Sequence, residues 1–141
     1  MASSPPSNKK IKTLLDHLKG KPLVSLEECL EVHGQPGVVF VDGSWFLKDR
    51  NGRQEFEAGP RIAGAKYFDI DDISSKGKDL NPKGLPHMMP PKELYAAAMD
   101  AMDITNDDHL ILYSSKGCVS TVSRAYSWFL ICRVFENYSK H

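Results

Sequence analysis

No apolar run in the 141-residue chain approaches the roughly 18 residues that a membrane-spanning helix needs. The Trp128–Cys132 stretch is cut short by Arg133, with Val134 and Phe135 just beyond. Neither sign of charge predominates, because 18 Lys plus Arg stand against 18 Asp plus Glu. Nucleic acid and anionic membrane surfaces both select a basic excess, so neither is expected as a partner. Cysteine is scarce: Cys29, Cys118 and Cys132 are odd in number and show no CxxC spacing. Such a set supports neither a disulfide framework nor a metal site, and a reducing compartment is the default. The N-terminus lacks the apolar stretch of a signal peptide, which argues against secretion. Met1–Lys10 is Ser/Pro-rich and then basic, with no acidic residue before Asp16. That is compatible with an organelle transit peptide, but the segment has no Arg; a disordered tail over residues 1–9 is the plainer reading.

What remains is ordinary for a soluble globular chain, with 41% hydrophobic and 26% charged residues in a length that suits one domain. Ile11, Leu14, Leu15 and Leu18 form a helical stripe stopped by Gly20 and Pro22. Ser25 followed by Glu28 predicts a capping box that opens a short helix, Leu26 to Val32, ended by Gly34. Residues 1–22 are thus expected to be a tail and short helix, and 23–141 a domain. Gly37–Asp42, Ala65–Ile70 and His109–Tyr113 read as strands, the first and last as compact buried runs. Residues 47–61, with Asn51-Gly52 and Gly59-Pro60, read as loop, and Ser74–Pro91 as irregular. Pro90-Pro91 leads a helix with Leu94, Ala97, Ala98 and Ala101 on one side. Asn106–Asp108 is a turn, Ser114–Gly117 a tight loop, and a long helix is expected from about Ser120 to Phe135.

Strands alternating with helical stretches predict an α/β fold with a mainly parallel sheet. Ligands of such sheets sit at the carboxyl ends of strands. The loop after Tyr113 stands out because it joins a strand directly to a helix N-terminus, where backbone N–H groups converge on an anion. Ser115, Lys116, Gly117, Val119, Ser120 and Arg124 are its candidate anion-binding residues.

Four ordered segments resemble the two-domain thiosulfate/3-mercaptopyruvate sulfurtransferases of the rhodanese superfamily. They are Val41-Asp-Gly-Ser-Trp-Phe46, Ile62-Ala-Gly-Ala-Lys-Tyr-Phe-Asp-Ile-Asp71, Leu85-Pro-His-Met-Met-Pro90, and Ile104-Thr-Asn-Asp-Asp108 with the strand that follows. Together they cover roughly residues 23–135 and resemble the first rhodanese domain of that family. Arg61 and Ala63 depart from the family's usual His and Pro, and the helix after the loop carries extra residues. The resemblance implies a rhodanese-like three-layer domain and sulfane-sulfur transfer to a thiophilic acceptor, with no cofactor. It also implies an interior strand beyond this last helix. A chain ending at His141 is therefore expected to be truncated at its C-terminus, marginally stable, and prone to self-association or to docking on a second rhodanese domain.

In active members a cysteine directly follows the strand, in the form Y-C-x-x-G-x-x-S. The matching run here is Tyr113-Ser-Ser-Lys-Gly-Cys-Val-Ser120, so Gly117 and Ser120 match and the nucleophile position is Ser114. An alcohol forms no persulfide, which fits an inactive domain. Cys118 is the alternative nucleophile, and with Arg124 it spells the Cys-x5-Arg pattern of cysteine-dependent phosphatases. Val119–Ser123 has no Gly to turn amides inward, however, so an inert cysteine at the helix start is the plainer reading. Lys116 reads as a solvated loop lysine and His87 as a turn or interface histidine. Asp42 and Ser44 read as structural. Trp45 and Trp128 read as core or interface aromatics, and Cys29 and Cys132 as core. Three functions stay open: a sulfurtransferase-family domain inactive by itself, a non-catalytic interaction module, and a sulfurtransferase using Cys118. If active, the chain's partners are small sulfur donors and thiol acceptors, and its compartment is the mitochondrion or the cytoplasm.

Overall fold

Strand formation follows the side-chain alternation of residues 38–42. Val39 and Val41 turn to one face of the sheet, Phe40 and Asp42 to the other. In a computed structural model that describes residues 7–47, 49–115 and 123–129, the chain divides into two compact units, Met1–Val38 and Val39–His141.

The first unit contains α1 (Asn8–Leu18) and α2 (Leu26–Val32). The stripe expected on α1 is real: Ile11 and Leu18 are buried, Leu14 and Leu15 half-buried. The helix begins at Asn8, because the Ser7 hydroxyl accepts the Lys10 N–H, so residues 8 and 9 are not tail. Residues 1–6 lie outside the described part. The capping box forms as read, with Glu28 N–H donating to Ser25 Oγ at 3.1 Å and Ser25 N–H to Glu28 Oε2 at 2.8 Å. Cys29 is half-buried instead of core, and burial raises its thiol pKa.

The second unit is built on a three-stranded parallel sheet of order β2-β1-β3, in which β1 is Val38–Asp42, β2 Lys66–Tyr67 and β3 His109–Tyr113. Val41 faces Lys66 and Asp42 faces Tyr67 across the parallel β1–β2 pair. Helices surround this sheet: α3 (Gly52–Ala58), α4 (Ile70–Ile73), α5 (Gly77–Leu80), α6 (Lys92–Ala101) and α7 (residues 123–129). The core gathers Val41, Phe68, Ile70, Tyr95, Met99 and Trp128 with their neighbours, and Val39, Leu110 and Leu112 pack against it. Phe68 meets both Trp128 and Phe129, with ring centroids 5.9 and 5.6 Å apart. This is the rhodanese-like α/β class expected from the sequence.

Four local expectations change. Residues 47–61 contain α3, because Asn51 does not simply turn the chain: its side chain accepts the Gln54 N–H and caps a helix. The strand at Ala65–Ile70 shrinks to two residues, because Asp69 accepts the N–H groups of Asp71 and Asp72 and starts α4. The irregular stretch after Ser74 holds the single turn α5. On α6 the buried positions are Tyr95 and Met99, while Leu94 is 37% exposed and Ala97 and Ala101 face outward. Large side chains four apart outcompete a row of alanines for the core, because they remove more apolar area from water.

Candidate functional site

The carboxyl ends of β1 and β3 are fastened to each other. Gly43 N–H donates to the Tyr113 carbonyl at 2.9 Å. One residue later, Ser44 N–H donates to Asp42 Oδ1 at 2.8 Å, an Asx-type turn that folds the chain back on itself. Ser44 and Asp42 are each 3% exposed. The Ser44 hydroxyl oxygen accepts the Ser115 N–H at 2.8 Å, which carries the link into the loop that follows β3. Ser114, between that anchor and the strand end, is exposed, as is Ser115. The other loop candidates, Lys116, Gly117, Cys118, Val119 and Ser120, lie outside the described residues, as does Cys132.

Two tyrosines close this end of the sheet. Tyr67 donates its hydroxyl to the Ser44 carbonyl at 2.7 Å. A Cβ at Gly52 would lie 2.3 Å from that hydroxyl oxygen and 2.7 Å from the Ser44 carbonyl oxygen, so only glycine fits beside the bond. Burial pushes the Tyr67 pKa well above the ordinary phenol range, and the carboxylates of Asp69 and Asp42 add to the rise. Tyr113 accepts the Ile62 N–H at 3.3 Å. Its pKa is also raised, chiefly by burial and further by Asp42, with the Ile62 amide opposing.

A second constellation joins the loop after β1, helix α4 and the segment before α6. Asp71 accepts the Trp45 indole N–H at 2.8 Å through Oδ2, and its Oδ1 lies 3.0 Å from His87 Nε2. The Trp45 and His87 rings meet edge to face at 4.8 Å. His87 sits in a turn at φ +53, a left-handed conformation uncommon for a side chain of this size. Arg124, on α7, donates Nη1 to the His87 carbonyl at 2.9 Å. Trp45 is therefore half-buried and tethered, whereas Trp128 is core. Nearby, Arg53 joins Asp69 and Asp72 at 2.9 and 3.0 Å.

The Asp71 constellation was invisible in the sequence, since its members stand 26 and 16 positions apart. The Ser44–Ser115 bond spans 71 positions, and only the resemblance of Val41–Phe46 to a family motif hinted at that segment. Among the described residues no group of His, Cys, Asp and Glu is placed to hold a metal ion, and no helix is long and apolar enough to cross a membrane. A cavity of about 280 Å³ opens between α6, β3 and α7, floored by Tyr95, Met99, Ile104, Leu110 and Phe129. Its lining includes none of the residues that end the strands.

No protein-family profile matches the chain. A thiosulfate/3-mercaptopyruvate sulfurtransferase 1 of Arabidopsis thaliana, described as mitochondrial, is 34% identical over 117 residues, which are 82% of this chain and 28% of that protein. The thiosulfate sulfurtransferase TUM1 of Saccharomyces cerevisiae is 32% identical over 116 residues, 81% of this chain and 36% of that protein. A 3-mercaptopyruvate sulfurtransferase of Escherichia coli K12 is 39% identical over 83 residues, 59% of this chain and 27% of that protein. The matched part thus amounts to between 27% and 36% of the length of these curated relatives. By these likenesses and its α/β architecture, the chain belongs to the thiosulfate/3-mercaptopyruvate sulfurtransferase family, with a rhodanese-like fold.

Proposed function

We propose that this chain is a sulfurtransferase-family domain that carries no sulfur by itself, because the sulfur-carrying position is Ser114. The observation that supports this reading is the place of Ser114: it directly follows β3 at the carboxyl end of a parallel sheet, where such folds put their chemistry. The names of the relatives suggest thiosulfate or 3-mercaptopyruvate as the donor class.

The chemistry demands a thiolate at that point. With thiosulfate as donor, the thiolate attacks the outer sulfur, the S–S bond breaks and sulfite leaves with the bonding electrons. The resulting persulfide is attacked at its terminal sulfur by cyanide or a thiolate. That sulfur departs on the acceptor and the thiolate is restored. The nucleophile must be ionised near neutral pH, which backbone N–H groups and a helix N-terminus achieve for a thiol. A serine hydroxyl lacks both the acidity and the capacity to hold sulfane sulfur. Docking on a second rhodanese domain that supplies the cysteine is the role left to such a chain. Its compartment in this reading is the mitochondrion or the cytoplasm, the former in keeping with the relative described as mitochondrial.

Cyanolysis of thiosulfate and of 3-mercaptopyruvate by the wild type, Ser114→Cys and Cys118→Ser tests the proposal. The expected result is no turnover by the wild type or by Cys118→Ser, and measurable thiocyanate from Ser114→Cys. Wild-type turnover abolished by Cys118→Ser would move the sulfur to residue 118 and defeat the proposal.

A further inference from the structure

We infer that Ser44 is the positioning residue for the loop after β3: its buried hydroxyl clamps the Ser115 amide and thereby sets the reactivity of whatever side chain stands at position 114. The inference rests on the reading of position 114 as the sulfur-carrying position.

The peptide unit joining residues 114 and 115 directly follows the side chain in question. Its N–H is held by Ser44 Oγ at 2.8 Å, which ties its orientation to the end of β1. Ser44 has little freedom of its own. Its N–H is held by Asp42 Oδ1 at 2.8 Å and its carbonyl by the Tyr67 hydroxyl at 2.7 Å. At 3% exposure the Ser44 hydroxyl is shielded from water that would compete for the same amide. Residue 114, by contrast, is exposed. The arrangement is a rigid buried post holding the peptide unit that follows an exposed residue. A nucleophile needs that combination: a fixed backbone to stabilise its anion, and an open approach for its partner.

The Asp42–Ser44 pair therefore has a use beyond shaping the end of β1. Among the described residues, Ser44 Oγ accepts the Ser115 N–H. A residue in that position accepts the amide equally well as serine or threonine. Alanine cannot accept it, and cysteine accepts it poorly.

The test uses the full chain and two readouts. Amide exchange at Ser115 is followed in the wild type, Ser44→Ala, Ser44→Cys and Ser44→Thr. The pH profile of alkylation is then followed for the thiol introduced by Ser114→Cys in a Cys118→Ser background, with each Ser44 variant, and is resolved by peptide mass mapping. Ser44→Ala and Ser44→Cys are expected to speed Ser115 exchange about tenfold, while Ser44→Thr stays near the wild type. Ser44→Ala is expected to move the alkylation midpoint up toward the ordinary thiol value, and Ser44→Thr to hold it down. Ser115 exchange unchanged in both Ser44→Ala and Ser44→Cys overturns the clamp, and so does an alkylation midpoint that Ser44→Ala leaves in place. An ordinary midpoint with Ser44 intact counts instead against position 114 as the sulfur carrier, so the two failures are told apart. Ser44→Cys, nearly isosteric, keeps the amide readout decisive if the alanine variant does not fold.

Discussion

The Ser115 amide and the Ser44 hydroxyl, 71 positions apart in the chain, meet at 2.8 Å and tie the loop after β3 to the end of β1. The bond belongs to a connected set that runs from Asp42 through Ser44 to Tyr67 and reaches α3 at Gly52. Strain at any member is felt by the others, because each is buried or half-buried against its neighbour.

Gly52→Ala tests the tightness of this set. In an exposed helix the exchange from glycine to alanine stabilises by up to about 1 kcal/mol. Here the added methyl would fall 2.3 Å from the Tyr67 hydroxyl oxygen and 2.7 Å from a backbone oxygen. Displacing both outweighs the propensity gain, and a net loss of about 1–3 kcal/mol is expected. A lowered urea midpoint with an unchanged slope would register it; a raised midpoint would show that the site has room.

Tyr67→Phe probes the same bond from the other side. The Tyr67 pKa is raised in the folded state, so folding favours the neutral phenol. Its contribution is fully present below the unfolded value of about 10 and is lost as pH rises from there through the folded value. The phenylalanine variant should lose about 1 kcal/mol at neutral pH with the hydrogen bond to Ser44. It should also unfold less steeply in alkali than the wild type. Some alkaline sensitivity persists, because the Tyr113 pKa is raised as well. Alkaline denaturation followed by near-ultraviolet circular dichroism distinguishes the two curves.

Asp71→Ala releases the Trp45 indole N–H and the His87 ring together. The Asp71 side chain is 60% exposed, so the stability change is expected to stay below about 1 kcal/mol. Trp45 is half-buried and gains access to water, whereas Trp128 remains in the core. A red-shifted fluorescence contribution with little change in melting temperature is therefore predicted, and its absence in Trp45→Phe assigns it.

Acid should loosen α2 through Glu28. Its pKa is lowered by the Lys21 ammonium and then by the Ser25 N–H. The stabilisation is present above the unfolded value of about 4.3 and is lost as pH falls through the lower folded value. Far-ultraviolet circular dichroism should show a helical loss in that acid range that Glu28→Gln flattens.

Local patterns were legible in the sequence to the extent that short-range chemistry decides them. Ser25 and Glu28 sit within one helical turn, so their reciprocal cap could be read outright. The run His109–Tyr113, bounded by turn residues, could be read as the third strand without reference to its partners. Asn51 and Asp69 were harder, because the same side chains start turns and cap helices, and only the following residues' packing selects the helix. The buried face of α6 is only partly legible: Ala98 packs against the core as the helical period implies, but Leu94, Ala97 and Ala101 stay exposed while Tyr95 and Met99 are buried. The Asp71, Trp45 and His87 contacts depend on how the loop after β1, helix α4 and the turn at His87 converge, which no spacing rule encodes.

The most direct measurement is mass mapping of the wild-type chain after incubation with thiosulfate or 3-mercaptopyruvate, searching each cysteine peptide for one added sulfur atom. The account predicts unmodified peptides for Cys29, Cys118 and Cys132 and no thiocyanate when cyanide follows. A persulfide on Cys118 that cyanide discharges would contradict it.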